Sequence, residues 1–151
     1  MPIALESPDQ ADVIALIAAL DAYQDTLYPP ESRHALDLGS LKQSNVVFVV
    51  ARDVAQRAIG CGAVVLHAAH AELKRMYVEP QARGQGTAQA ILALLETKAL
   101  AAGCRLLRLE TGPYQPEALR LYALCGYRRC GSFAPYRDDA LSVFMHKTLG
   151  A

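Results

Sequence analysis

The chain has 151 residues, 52% of them apolar and 20% charged, and its 15 basic and 15 acidic side chains leave no net charge. That length suffices for one domain, residues 1–151, whose core needs neither disulfides nor metal, and a balanced charge offers nothing to nucleic acid or to a membrane surface. Cys61, Cys104, Cys125 and Cys130 form no C-x-x-C pair and no zinc-ligand spacing, so reduced thiols in a cytoplasmic protein are expected.

Met1-Pro2-Ile3 is followed by Glu6, Asp9 and Asp12, which is not the basic start of a signal peptide. Apolar stretches are interrupted by Asp21 or by Glu96 and Lys98, too often for a membrane span. A short strand is predicted over Ile3 to Glu6. Ser7-Pro8-Asp9 then signals a helix from about Gln10 to Tyr23, with Val13, Ile14, Leu16, Ile17 and Leu20 on its apolar face. Tyr28-Pro29-Pro30 breaks the chain, and a shorter helix is expected over Ser32 to Leu38 before Gly39.

Asn45 to Arg52, Ala58 to His67 and Ala71 to Val78 read as three strands joined by short turns, hence an antiparallel meander. Pro80 closes the third, and Arg83-Gly84-Gln85-Gly86-Thr87-Ala88 turns the chain into a helix running to about Ala102, before Gly103. Cys104 to Glu110 is a strand reached by that helical crossover, which makes a right-handed parallel unit. After the loop from Thr111 to Gln115, Pro116 opens a helix that ends at Gly126. Two last strands are predicted, Tyr127 to Gly131 and Ser142 to Lys147, separated by Ser132 to Asp139.

The turn from Arg83 to Ala88 would present unpaired N–H groups at the positive end of a helix, suited to a phosphate. A dinucleotide fingerprint fails because Gln89 stands where the third glycine belongs, and a phosphate loop of the G-x-x-x-x-G-K-[ST] kind fails because no lysine occurs between Arg75 and Thr97. The pattern that fits is V-x-P-x-x-R-G-x-G-x-[GA], present as Val78, Pro80, Arg83, Gly84, Gly86 and Ala88. This resembles the acetyl-CoA signature of the GCN5-related N-acetyltransferase (GNAT) family. A second block, Gln115 to Tyr127, is similar to that family's N-x-x-A-x-x-x-Y-x-x-x-G-[FY], with Ala118, Tyr122, Gly126 and Tyr127 matching and Gln115 standing where asparagine is common.

The resemblance implies an α/β (α+β) fold, a mixed, twisted and mostly antiparallel sheet of about seven strands flanked by about four helices. It also implies acetyl-CoA as cofactor and a homodimer. The lack of a convincing cysteine nucleophile points to direct attack, and a neutral chain with no acidic groove for a polycationic acceptor favours a primary amine of a small metabolite. Main-chain contacts from Met76, Tyr77 and Val78 would hold the pantetheine arm and thioester, Arg83, Gly84, Gln85, Gly86, Thr87 and Ala88 the pyrophosphate, and Gln115 the cofactor. Tyr122 takes the general acid's place, since a phenol stays protonated at neutral pH; a core tyrosine is the alternative. Glu72 is the candidate base, with Glu110 as its substitute or as the acceptor's ammonium partner; a solvated carboxylate is the alternative. A non-catalytic acyl-CoA-binding module and a protein acetyltransferase are the rival readings.

Other residues stay open at this level. His67 and His70, spaced H-x-x-H, read as turn histidines rather than metal ligands, and no metal is expected. Cys125 lies in an apolar context that does not suit a nucleophile. Lys74 and Arg75 are expected on the surface unless one faces the pocket and binds an acceptor's carboxylate. Tyr28, Tyr114, Phe133 and Tyr136 either line the acceptor site or cover a core edge.

Overall fold

The computed structural model describes residues 2–32 and 36–150. In chain order the elements are β1 (Ile3–Leu5), α1 (Ala11–Asp25), α2 (Leu38–Leu41), β2 (Val46–Arg52), β3 (Ala58–Leu66), β4 (His70–Val78), α3 (Thr87–Ala101), β5 (Leu106–Thr111), α4 (Pro116–Leu124), β6 (Arg128–Cys130) and β7 (Val143–Thr148), with single 3-10 turns at Pro30–Ser32 and Pro80–Ala82. The seven strands form one sheet in the order β1-β2-β3-β4-β5-β7-β6. Every neighbouring pair is antiparallel except β4 with β5, which α3 joins as the predicted parallel crossover. Among the described residues no helix is long and apolar enough to cross a membrane.

Each face of the sheet is covered by a helix whose apolar spacing dictates how it lies. Val13, Leu16, Ile17 and Leu20 recur at helical period along α1 and pack with Phe48, Val50, Cys61 and Tyr77 on one face. Ile91, Leu92, Leu95 and Ala99 of α3 pack on the other, with Val64, Leu73, Leu107 and Tyr122 of α4. Arg52 fastens β1 and α1 to β2, donating to both carboxylate oxygens of Glu6 and to Asp12. Its guanidinium holds both carboxyls below their ordinary range.

The second predicted helix is the main correction to the element order. Residues 33–35 of that expectation lie outside the described residues; before them stands only the 3-10 turn Pro30–Ser32, and α2 begins where the predicted helix was to stop. Its start is set by Asp37, whose Oδ1 accepts from the Ser40 N–H at 2.8 Å. The signal was an N-cap aspartate with its helix continuing through Gly39. Tyr127 and Gly131 fall outside β6, which is a three-residue edge strand.

Two irregularities in β4 shape the molecule. Opposite β3, Cys61 pairs with Tyr77 but Ala63 pairs with Lys74, so Arg75 and Met76 face the single residue Gly62 in a bulge. Arg75 has φ of 58°, a left-handed conformation that costs a non-glycine residue about 1–3 kcal/mol. Its side chain, 7% exposed, offsets this by donating to both oxygens of Asp21 on α1 at 2.7 and 3.1 Å and to the Leu36 carbonyl at 3.1 Å. On the other edge, β4 and β5 pair only from His70–Leu106 to Glu72–Arg108. Beyond that point β4 continues against β3 and β5 against β7, and the two strands part.

Leu95→Ala, at a fully buried position, is expected to lower unfolding stability by about 2–5 kcal/mol, read as a fall in the urea midpoint. Asp21→Ala leaves the Arg75 guanidinium buried without this carboxylate. Because Asp21 is itself 37% exposed, solvent softens the loss to about 1–2 kcal/mol in the same assay.

Candidate active site

The parting of β4 from β5 leaves their ends unpaired in the middle of the sheet, and two adjoining cavities are lined by residues of this region. The larger, about 600 Å³, runs from Met76, Tyr77 and Val78 on β4 to the glycine turn and on to the first turn of α4. The smaller, about 110 Å³, lies on the α1 side between β4 and the end of β5. Leu20, Met76, Gln115, Ala118 and Tyr122 line both, so the cavities meet at these five side chains.

The glycine turn forms one end of the larger groove. Gly84 and Gly86 have φ of 80° and 77°, conformations that let the chain reverse after the proline turn without a Cβ penalty. Gly86 is the N-cap residue of α3 with no side-chain cap, and its carbonyl accepts the first helical bond from Ala90. Arg83 is steered back along the groove: its Nε donates to the Val78 carbonyl at 2.9 Å and its guanidinium lies over the Tyr77 ring at 5.7 Å. Arg83, Gly84, Gly86, Thr87 and Ala88 all line the groove, whereas Gln85 is exposed and does not. The main chain at a helix N-terminus, with an arginine beside it, suits a phosphorylated ligand.

At the junction, Tyr122 reaches inward from α4. It is buried, its ring meets Tyr127 edge-on at 5.9 Å, and burial pushes its phenol well above the ordinary range. Gln115, the residue preceding α4, lines both cavities from the same side.

The smaller cavity is lined by three of the charged side chains singled out above, Lys74, Arg75 and Glu110. Glu110, near the C-terminal end of β5, lines it; burial raises its carboxyl to about 7, opposed by the Ser142 hydroxyl nearby and by the Lys74 ammonium. Lys74 lines it as well, and its Nζ lies 3.1 Å from Glu72 Oε2. Lys74 also donates to the Tyr136 hydroxyl, which in turn donates to Glu72. Glu72 is buried in this trio and does not line the cavity.

Lys74 and Arg75 are therefore not the surface charges that a strand position suggested. They are 13% and 7% exposed, each beside a carboxylate, because the bulge turns Arg75 towards α1 and the loop bearing Tyr136 covers Lys74. Of the four aromatic residues, Tyr28 lines the smaller cavity. Tyr114 stacks on Tyr28, while Phe133 and Tyr136 pack around Phe144. His67 and His70 stack on each other at the β3–β4 turn, ring centroids 4.7 Å apart. Among the described residues no three His, Cys, Asp or Glu side chains converge as a metal site.

Sequence reasoning missed Asp21, whose role comes from the bulge, and the tie between Tyr136 and Glu72, which spans 64 positions. The Arg75 side of this had one trace in the sequence, two adjacent cations, Lys74 and Arg75, on a central strand.

Comparison with known proteins agrees with this geometry. The model of the Acetyltransferase (GNAT) family matches residues 16–127. An Azospirillum brasilense protein named IAA acetyltransferase is 44% identical over 149 residues, 97% of either chain. The Bacillus subtilis protein YsnE, an uncharacterized N-acetyltransferase, is 33% identical over 99% of this chain and all of its own. A Klebsiella pneumoniae crystal structure described as an acyl-CoA N-acyltransferase superposes with a TM-score of 0.88 at 45% identity, covering 99% of this chain and 97% of the other. The chain belongs to the GNAT family and is an acetyltransferase.

Proposed function

We propose that the protein moves the acetyl group of acetyl-CoA to the primary amine of a small metabolite held in the smaller cavity, by direct attack. The observation that carries this reading is the meeting of the two cavities at Met76, Gln115 and Tyr122. A thioester laid along the larger groove would place its carbonyl there, in reach of an amine held in the smaller cavity. More distant structural relatives solved with coenzyme A support the choice of donor, among them the PaiA N-acetyltransferase of Thermoplasma acidophilum, with a TM-score of 0.73 at 18% identity over 98% of this chain and 99% of its own.

Each residue then has a role set by its surroundings. The N–H groups of the turn from Arg83 to Ala88 hold the diphosphate, and the edge of β4 released by β5, around Met76 and Val78, offers N–H groups to the pantetheine arm and the thioester oxygen. Glu110 takes the proton of the attacking ammonium. It is the carboxylate facing the cavity, and Glu72 contributes through Lys74. The amine nitrogen forms a bond to the carbonyl carbon, whose oxygen becomes an oxyanion. Collapse breaks the carbon–sulfur bond, the leaving thiolate receives the Tyr122 hydroxyl proton, and the extra proton still carried by the nitrogen leaves to solvent, from which the Tyr122 phenolate recovers its own. Burial keeps that phenol protonated until the thiolate forms beside it. Cys125, half-buried and with its thiol pushed up by burial, takes no part, so the acetyl group passes in one step.

Size supports a small acceptor over a protein one. The cavity measures about 110 Å³ and opens into the larger groove, room for the body of a small amine. Four free thiols, two of them buried, support a reducing, cytoplasmic setting.

Release of free thiol from acetyl-CoA over a panel of small amines tests the reading. Turnover is expected; uptake of coenzyme A without turnover on any amine would instead favour a binding module. Tyr122→Phe is expected to lower kcat by about 10²–10⁴-fold with little change in coenzyme A affinity by calorimetry. Because Glu110 must be ionised to accept a proton, kcat/KM is expected to rise with pH through about 7 and level off above. Glu110→Gln should lower the plateau and remove that limb.

A further inference from the structure

The roof of the smaller cavity is a tyrosine that the mechanism does not use. Tyr28 follows α1, just before Pro29-Pro30, and lies 8% exposed over the end of β5. Three contacts hold it there. Its hydroxyl accepts from the Tyr114 N–H at 3.0 Å. Its ring stacks on that of Tyr114, centroids 5.5 Å apart and planes within 12°. The phenol also occupies the space that a side chain at position 112 would need, since a Cβ on Gly112 would stand 1.8 Å from Tyr28 Oη.

The last contact is the informative one. Gly112 has an ordinary backbone conformation, so the absence of a side chain there serves the approach of Tyr28 rather than a turn. The other walls are committed elsewhere: Leu73 and Leu109 belong to the strands and the apolar core, and Lys74 and Glu110 carry the charge. Tyr28 is the aromatic side chain, among the described residues, that reaches the cavity from a connecting segment, beside Leu36, Gln115 and Leu141. Removing it would open the cavity outward without disturbing the junction at Tyr122.

The geometry points to Tyr28 as the specificity-determining residue for the acceptor: fixed by Gly112 and the Tyr114 amide, it is the wall that limits how bulky the acceptor's body beyond the nitrogen is. This rests on the reading of the smaller cavity as the acceptor site. A rigid apolar wall discriminates by size because a larger body must displace packed atoms, and the hydrogen bond to Tyr114 prevents the ring from swinging away at no cost. Tyr28 is placed to select by shape, not to move a proton.

The test compares short unbranched primary amines with aryl-substituted ones, using wild type and Tyr28→Ala. The wild type is expected to favour the short amines, and Tyr28→Ala to raise the kcat/KM ratio of bulky to short acceptors by at least about tenfold. The KM for acetyl-CoA should stay within about twofold, which shows that the variant folds. Tyr28→Phe keeps the ring and should keep the selectivity. Gly112→Ala, which forces the ring off its place, should relax selectivity in the same direction as Tyr28→Ala, and replaces it if that variant does not fold. An unchanged ratio in a variant that binds coenzyme A normally overturns the proposal, as does a wild type indifferent to acceptor size. If coenzyme A binds but no amine is acetylated, the functional reading fails. Calorimetric titration of the same amines into the coenzyme A complex then reads size selection by itself, with equal affinities for both classes counting against Tyr28.

Discussion

One constraint shapes this protein: β4 cannot satisfy both its neighbours along its whole length. Against β3 it carries an extra residue, and against β5 it stops pairing after Glu72–Arg108. Both departures lie next to the bulge at Arg75, where the chain takes a conformation that is unfavourable in isolation. The ion pair of the buried Arg75 side chain with the partly exposed Asp21 of α1 holds that conformation.

The parting of β4 from β5 brings chemistry from distant parts of the chain to one place. The backbone edge of β4, the glycine turn before α3, the buried phenol of Tyr122 on α4 and the raised carboxyl of Glu110 on β5 all converge on it. An intact parallel ladder would use the same N–H groups for sheet pairing and leave no route between the two cavities. The strain at Arg75 and the capacity to bind across the sheet are therefore two aspects of one arrangement.

The charges near the parted strands are arranged in pairs that limit what a ligand meets. Lys74 stands beside Glu72 with Tyr136 bridging them, and Arg75 beside Asp21. Burying such cations without partners would cost several kcal/mol each. With them paired, Glu110 is the carboxyl that faces the smaller cavity, at a pKa where it exchanges protons near neutrality. The selective wall at Tyr28 is built from steric contacts and one hydrogen bond, with no charge involved.

The order and type of the elements were legible in the sequence because their signals are local. Apolar spacing marked α1 and α3, proline and glycine marked the turns, and a helix between two strands implied the one parallel pair. The glycine turn and Tyr122 were legible for the same reason, as short motifs whose spacing is fixed by the helix each opens or occupies. Three things were decided only by tertiary structure. Residue periodicity does not record which strand pair stops bonding, or where, so the bulge at Arg75 and the inward place of Lys74 were hidden. Whether Glu72 or Glu110 faces the cavity depends on that same bulge and on Tyr136 arriving from far along the chain. The closeness of Tyr28 to Gly112 joins residues 84 positions apart, and an unremarkable glycine becomes informative once a second side chain occupies its space.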